Sequence, residues 1–221
     1  MPPLCTNRRR LRLLLTLICA TAMPCAAADG AALDSGWILQ KLARPVPART
    51  AFVELRGSAL LKAPLRVEGE YRRPDAATLV REVRVPYAET TTIREGQATV
   101  ARQGRAPRRF ALSRAPELAT LQASFGALLA GDGATLERHY RLQPRGSRER
   151  WTLLMTPKDA GVARWLGAIT LYGQGAELRC IETVPVSGEL QRTLLAGAAR
   201  DAATAQTAEA LLALCRAGGA R

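Results

Sequence analysis

The sequence predicts an α+β domain: one large, curved antiparallel sheet accompanied by a few helices. Three observations carry that expectation. Between residues 50 and 112 apolar and polar residues alternate in short runs broken by Gly, Pro or charged turns, which is the period of half-buried strands. The alternation resumes after the Asp132-Gly133 turn. Apolar residues fall at helical spacing in only three places, near Trp37, near Leu121 and toward the C-terminus. Sequential antiparallel pairing of neighbours is the simplest topology for such strands.

Taken in order, the chain opens with Arg8, Arg9, Arg10 and Arg12 ahead of an apolar run at 13–22, and Ala26-Ala27-Ala28 follows. This is the pattern of a secretory signal with cleavage after Ala28, and the run is shorter than the ~20 residues a membrane span asks for. One domain is expected over 29–221. Asp34 and Ser35 then offer N-caps to a short helix carrying Trp37, Ile38, Leu39 and Leu42, which Pro45 and Pro47 stop.

Leu65, Val67, Gly69 and Tyr71 alternate with Arg66, Glu68, Glu70 and Arg72, so one strand face is apolar and the other charged. Leu79, Val83 and Val85 repeat the pattern, and shorter runs follow at 90–93, 98–102 and 109–112. Pro116 opens a second helix with Leu118, Leu121, Phe125, Leu128 and Leu129 on one stripe, and Gly131 is placed to cap it. Strands are expected again at 136–142, 151–156, 168–172, 178–184 and 190–195. A final alanine-rich helix at 198–216 carries Ala208, Leu211, Leu212 and Cys215 on one face.

The 221 residues are 48% hydrophobic, 23% charged and only 5% aromatic, values that exclude intrinsic disorder and a multi-span membrane protein. The formal net charge of +13 is almost all arginine, and removing 1–28 takes away four arginines and no acid. Of the five cysteines only Cys180 and Cys215 remain beyond residue 28. In an oxidising compartment they are expected to pair, the alternative being two buried free thiols.

Catalytic chemistry finds little to build on. The single histidine, His139, sits in the alternating run Glu137-Arg138-His139-Tyr140-Arg141 and reads as a solvated residue on the polar side of a strand. No Gly-x-Ser-x-Gly elbow, phosphate loop or dinucleotide fingerprint accompanies it, and no His/Cys/Asp/Glu group has ligand spacing, so neither an enzyme nor a cofactor or metal is expected. Arginines cluster at 102–109 and 145–150 without interleaved aromatics, which favours solvated turns or contact with anionic headgroups over nucleic acid.

The order short helix, strands, helix, strands, with Gly69-Glu70-Tyr71-Arg72-Arg73-Pro74 closing an early strand, resembles the periplasmic outer-membrane lipoprotein carrier family, LolA. The Trp151-Thr152-Leu153-Leu154-Met155-Thr156-Pro157 run is similar to that family's Trp-x-Leu-x-x-x-Pro strand, and Ala51-Phe52-Val53-Glu54 and Leu128-Leu129-Ala130-Gly131-Asp132 resemble a LolA-like branch. The sequence departs from the family at Ser187-Gly188-Glu189-Leu190, where an aspartate usually stands beside glycine. The resemblance implies an unclosed half-barrel with helices as its lid, located in the periplasm and holding the acyl chains of a lipoprotein or lipid intermediate. It further implies an inner-membrane donor, an outer-membrane acceptor and transient contact with membrane surfaces. Arg73 occupies the position of the family's gating arginine. Alternation supplies the cavity-lining candidates: Leu65, Val67, Tyr71, Leu79, Val83 and Val85 from the sheet, and Leu121, Phe125 and Leu128 from the helix. Each of these can equally be core. A second reading is an envelope accessory protein that binds a protein partner with the same scaffold and transports nothing.

Overall fold

The computed structural model describes residues 32–56, 65–114, 126–205 and 207–219. The expected leader at 1–28 and the stripe residues Leu118, Leu121 and Phe125 lie outside the described residues. Helix α1 (Ser35–Leu42) starts where Asp34 accepts a hydrogen bond from the Trp37 amide at 2.7 Å, and it buries Ile38, Leu39 and Leu42.

Eleven strands follow in one antiparallel sheet: β1 (Ala48–Arg56), β2 (Leu65–Arg73), β3 (Thr78–Val85), β4 (Glu89–Arg94), β5 (Gln97–Arg102), β6 (Arg108–Ala111), β7 (Tyr140–Gly146), β8 (Arg150–Pro157), β9 (Leu166–Gln174), β10 (Glu177–Pro185) and β11 (Gln191–Leu195). Their order is β6-β5-β4-β3-β2-β1-β11-β10-β9-β8-β7. Two meanders are thus stitched together where β1 pairs with β11, and β6 and β7 remain as edges, so the sheet is not closed.

Register decides what each face carries. Phe52 on β1 stands opposite Gly69 on β2 and Leu195 on β11, and Gly69 stands opposite Val83 on β3. Side chains alternate across a strand, so Phe52, Val67, Val83 and Leu195 share one face and form a core cluster. Gly69 has to be glycine here, because a Cβ would lie 1.9 Å from the Glu82 carbonyl oxygen and 2.9 Å from the Phe52 ring. Gly173 plays the same part beneath Trp151, whose ring a Cβ would meet at 2.0 Å.

Over the β7–β10 end of that face lie α1, a helical stretch at 126–130 and α2 (Gly133–His139). Ile38, Leu39, Leu128 and Leu136 from these helices pack on Tyr140, Trp151, Leu153, Met155 and Leu171 from the sheet. The opposite face carries α4 (Ala196–Asp201) and α5 (Ala208–Ala217), whose Ala198, Ala199 and Leu211 cover Val53, Cys180 and Leu194. The Cys180–Cys215 disulfide pins α5 to β10. Strands β10, β11 and β1 are therefore buried from both sides, which is why Cys180 and Ile181 are apolar in succession.

The structure departs from simple alternation in four places. Residues 136–139 are helical rather than extended: Gly131, at φ 72°, ends the preceding helical stretch, and Asp132 starts α2 by accepting from the Thr135 amide at 2.9 Å. The Thr135 hydroxyl and amide both bond this carboxylate and hold it below its usual pKa. His139 consequently ends a helix instead of lying on a strand, and β7 begins only at the buried Tyr140. The expected helix at 198–216 is two helices, the second restarted by Thr207, whose hydroxyl accepts from the Ala210 amide. A one-turn helix, α3 (Ala160–Ala163), capped by Asp159, sits between β8 and β9. Lastly, a bulge lies opposite Glu68 and Gly69, so Val83 pairs with Gly69 but Val85 pairs with Glu68.

Candidate functional site

Residues from both meanders and the helical layer enclose one cavity at the end of the sheet where β1 begins and β2 finishes. Its walls are Leu42, Arg44, Ala48, Thr50, Tyr71, Arg73, Leu128, Leu129, Glu177, Leu178, Leu195 and Ala196. Thr50 and Tyr71 face inward together because they are register partners across β1 and β2. The wall is mostly apolar, and the volume is about 70 Å³. That is roughly half the 150 Å³ of an engineered cavity able to take benzene.

Arg73 bridges the sheet and the helices. It is only 9% exposed, and its Nη1 donates to the Leu129 carbonyl at 3.1 Å and to the Arg44 carbonyl at 3.5 Å. The Leu129 carbonyl also accepts from the Arg44 amide at 3.1 Å. Leu129 lies in the last turn of the helical stretch before Gly131, and Arg44 follows α1, so the guanidinium meets the carbonyl-rich C-terminal ends of two helices. Helix C-termini leave carbonyls without intrahelical partners and favour positive charge. One arginine on the last position of β2 thus fastens the helical layer to the sheet.

The other sequence-derived positions fall into distinct groups. Tyr71 and Leu128 line the cavity beside Arg73. Val67 and Val83 are fully buried next door with Phe52 and Leu195, and Leu65 packs half-buried against them. Leu79 is half-buried on β3, away from the cavity walls. Val85 is 45% exposed, turned outward by the bulge. Leu121 and Phe125 lie outside the described residues. Alternation did not single out Thr50, Leu178, Leu195 or Arg44; Thr50 was accessible as the partner two residues before Phe52, whereas Leu178 and Leu195 reach the site only through the β1–β11 pairing.

The apolar face also holds charge. Arg81 on β3 reaches across β2 to Glu54 on β1, Nη2 to Oε2 at 2.6 Å, and its guanidinium lies 4.7 Å above the Phe52 ring. Phe52 in turn stacks against Tyr71 at 4.7 Å between ring centres. On the α5 face, Tyr172 donates to Glu182 at 2.8 Å and Arg192 donates to the same carboxylate at 2.7 Å. Burial, and then the bond to Glu182, push the Tyr172 hydroxyl up to about 12. Among the described residues, no group of three or more His, Cys, Asp and Glu could hold a metal ion.

A helix-covered, unclosed antiparallel sheet is the architecture that the sequence resemblance implies. Residues 26–218 match the family described as outer membrane lipoprotein carrier protein LolA-like. The chain belongs to this family. LolA-like proteins are binding and carrier proteins. No curated protein matches the chain. Among solved structures, it is similar to a LolA superfamily protein of Nitrosomonas europaea, with 15% identity over 75% of this chain and 91% of that one and a TM-score of 0.38. It is also similar to MucB, with 19% identity over 75% of this chain and a TM-score of 0.42, and it spans 58% of that chain. LprF of Mycobacterium bovis is 14% identical over 74% of this chain and 91% of its own, with a TM-score of 0.34.

Proposed function

We propose that this LolA-like protein is an exported carrier. It takes up the acyl chains of a lipoprotein or lipid intermediate between the sheet and its helical layer, and ferries them from the inner to the outer membrane. The observation that carries this reading is the cavity latched by Arg73. Its wall is apolar, and a single buried guanidinium bonded to Leu129 and Arg44 holds the helical layer over it. A volume of about 70 Å³ does not admit an acyl chain, so loading requires the α1 and 126–130 segments to lift.

The energies are compatible with such a cycle. Burying each methylene contributes about 0.8 kcal/mol, so ten of them supply about 8 kcal/mol. Releasing the two Arg73 bonds, whose donor is charged, costs about 3–6 kcal/mol in total. The remainder is less than the cost of exposing the buried Ile38, Leu39 and Leu42, so the entering chain takes over their apolar contacts as α1 lifts, and docking to a donor or acceptor protein shifts the balance between loaded and empty forms.

The experiment is purification without detergent, native mass spectrometry, and organic extraction of any bound molecule. A co-purifying lipid or acylated peptide is expected, displaced in Val83→Trp, which fills space in the apolar cluster beside the site. An empty protein that also refuses fatty-acyl probes would overturn the carrier reading and turn attention to an accessory role with a protein partner.

A further inference from the structure

We infer that the cavity recognises a lipid with an anionic end, and that Arg73 is the residue that reads this charge; the inference rests on the carrier reading above. A guanidinium cannot shed its charge, and burying it without a carboxylate is costly. Arg73 is 9% exposed, and among the described residues its hydrogen bonds go only to the two carbonyl oxygens of Arg44 and Leu129. Arg44, an exposed residue on the same wall, donates among the described residues only to carbonyls, those of Lys41 at 3.1 Å and Ala176 at 2.6 Å.

The acid on the wall does not answer this charge. Glu177 is engaged elsewhere, its Oε1 accepting from the Gly197 amide at 2.9 Å and from Arg179 at 3.4 Å. Among the described residues the cavity therefore sets the buried Arg73, and beside it the exposed Arg44, on neutral acceptors next to an apolar wall formed by Leu42, Tyr71, Leu128, Leu178 and Leu195. An acyl chain fits the apolar part, and a carboxylate or phosphate fits the cationic part.

This pairing also couples recognition to opening. The Arg73 bonds to these carbonyls are charged on the donor side alone, and an anionic oxygen adds a second charge that attracts the guanidinium directly. An anionic headgroup therefore competes effectively for the N–H groups that Arg73 gives to Leu129 and Arg44, and binding it unfastens the helical layer at the moment the chain needs entry. A neutral lipid meets the same latch with nothing to exchange for those bonds.

The test is calorimetric titration of the purified protein, below micelle formation, with myristate, myristyl phosphate and the neutral monomyristin. Binding of either anion at least about tenfold tighter than monomyristin is expected. Arg73→Gln should erase that preference by weakening the two anions while monomyristin binds at least as tightly as to the wild type, and the exposed control Arg109→Gln should keep the preference. A tighter carboxylate points to a fatty acid and a tighter phosphate to a phospholipid, and both support the inference. Equal affinity for charged and neutral lipids, or a preference that survives in Arg73→Gln, overturns it and leaves the carrier reading standing. Binding of none of the three overturns the carrier reading itself. Where Arg73→Gln does not fold, ionic strength decides: an anion preference that persists at high salt belongs to the buried Arg73, and one that vanishes with salt belongs to the exposed arginines and overturns the inference.

Discussion

Removing the Cys180–Cys215 bridge should lower stability by an amount that follows from its place in the chain. The two residues are 35 apart, and in the chain-entropy model a loop of this length is worth about 3.8 kcal/mol at 25 °C. For a domain of this size each kcal/mol moves the melting temperature by about 2–4 °C, so the double variant Cys180→Ala/Cys215→Ala should melt about 8–15 °C below wild type. Both sulfurs are fully buried, so truncation also removes packing beneath α5. Wild-type protein unfolded and refolded under reducing conditions isolates the cross-link from the packing loss. Circular dichroism melts give the magnitude, and amide exchange gives the location. Exchange should rise in α5 and β10 while α1 and Leu136 in α2, which lie on the other face, keep their protection. A drop below about 3 °C in the reduced wild type, or loosening that begins in α1, would refute the loop-closure argument.

Two other substitutions probe the packing and the α5 face. Gly173→Ala drives a methyl group into the Trp151 ring, 2.0 Å away, and should cost about 1–3 kcal/mol in urea unfolding with a shift in tryptophan emission, whereas a neutral result would mean the ring moves freely. Tyr172 has a folded pKa of about 12 against 10.0 for the free group, so its protonated form is favoured by folding. That contribution is present below pH 10 and is lost as pH rises toward 12. Tyr172→Phe should therefore flatten the alkaline loss of stability, and an unchanged slope between those values would count against the Glu182 hydrogen bond as drawn.

Much of the fold was legible because its signals are local. The alternation at 65–72 reports a strand with one apolar face, and Asp34 reports the start of α1, since a cap and a period depend only on near neighbours. The failures arise where distant pairing or a single cap overrides the pattern. Glu137-Arg138-His139-Tyr140 alternates like a strand, yet Asp132 nucleates a helix through it and Tyr140 alone turns inward. Val85 continues the series of Leu79 and Val83, but one extra residue opposite Gly69 flips it outward, and a bulge leaves no mark in the sequence of one strand. The same limit applies to the site. Arg73 and Tyr71 were accessible from β2, whereas Leu178 and Leu195 join them only because the last strand comes home to the first.

That homecoming has a consequence for how the molecule is made. Strand β1 has β2 as its next neighbour in the chain, but its other side stays bare until β11, near the end of the chain, pairs with it. The segments that follow, α4, α5 and Cys215, then clamp the join. During that wait the first meander is a half-molecule with an open backbone edge, the kind of surface that recruits other chains. A product terminated before Gln191 leaves one edge of β1 unpaired and is expected to aggregate.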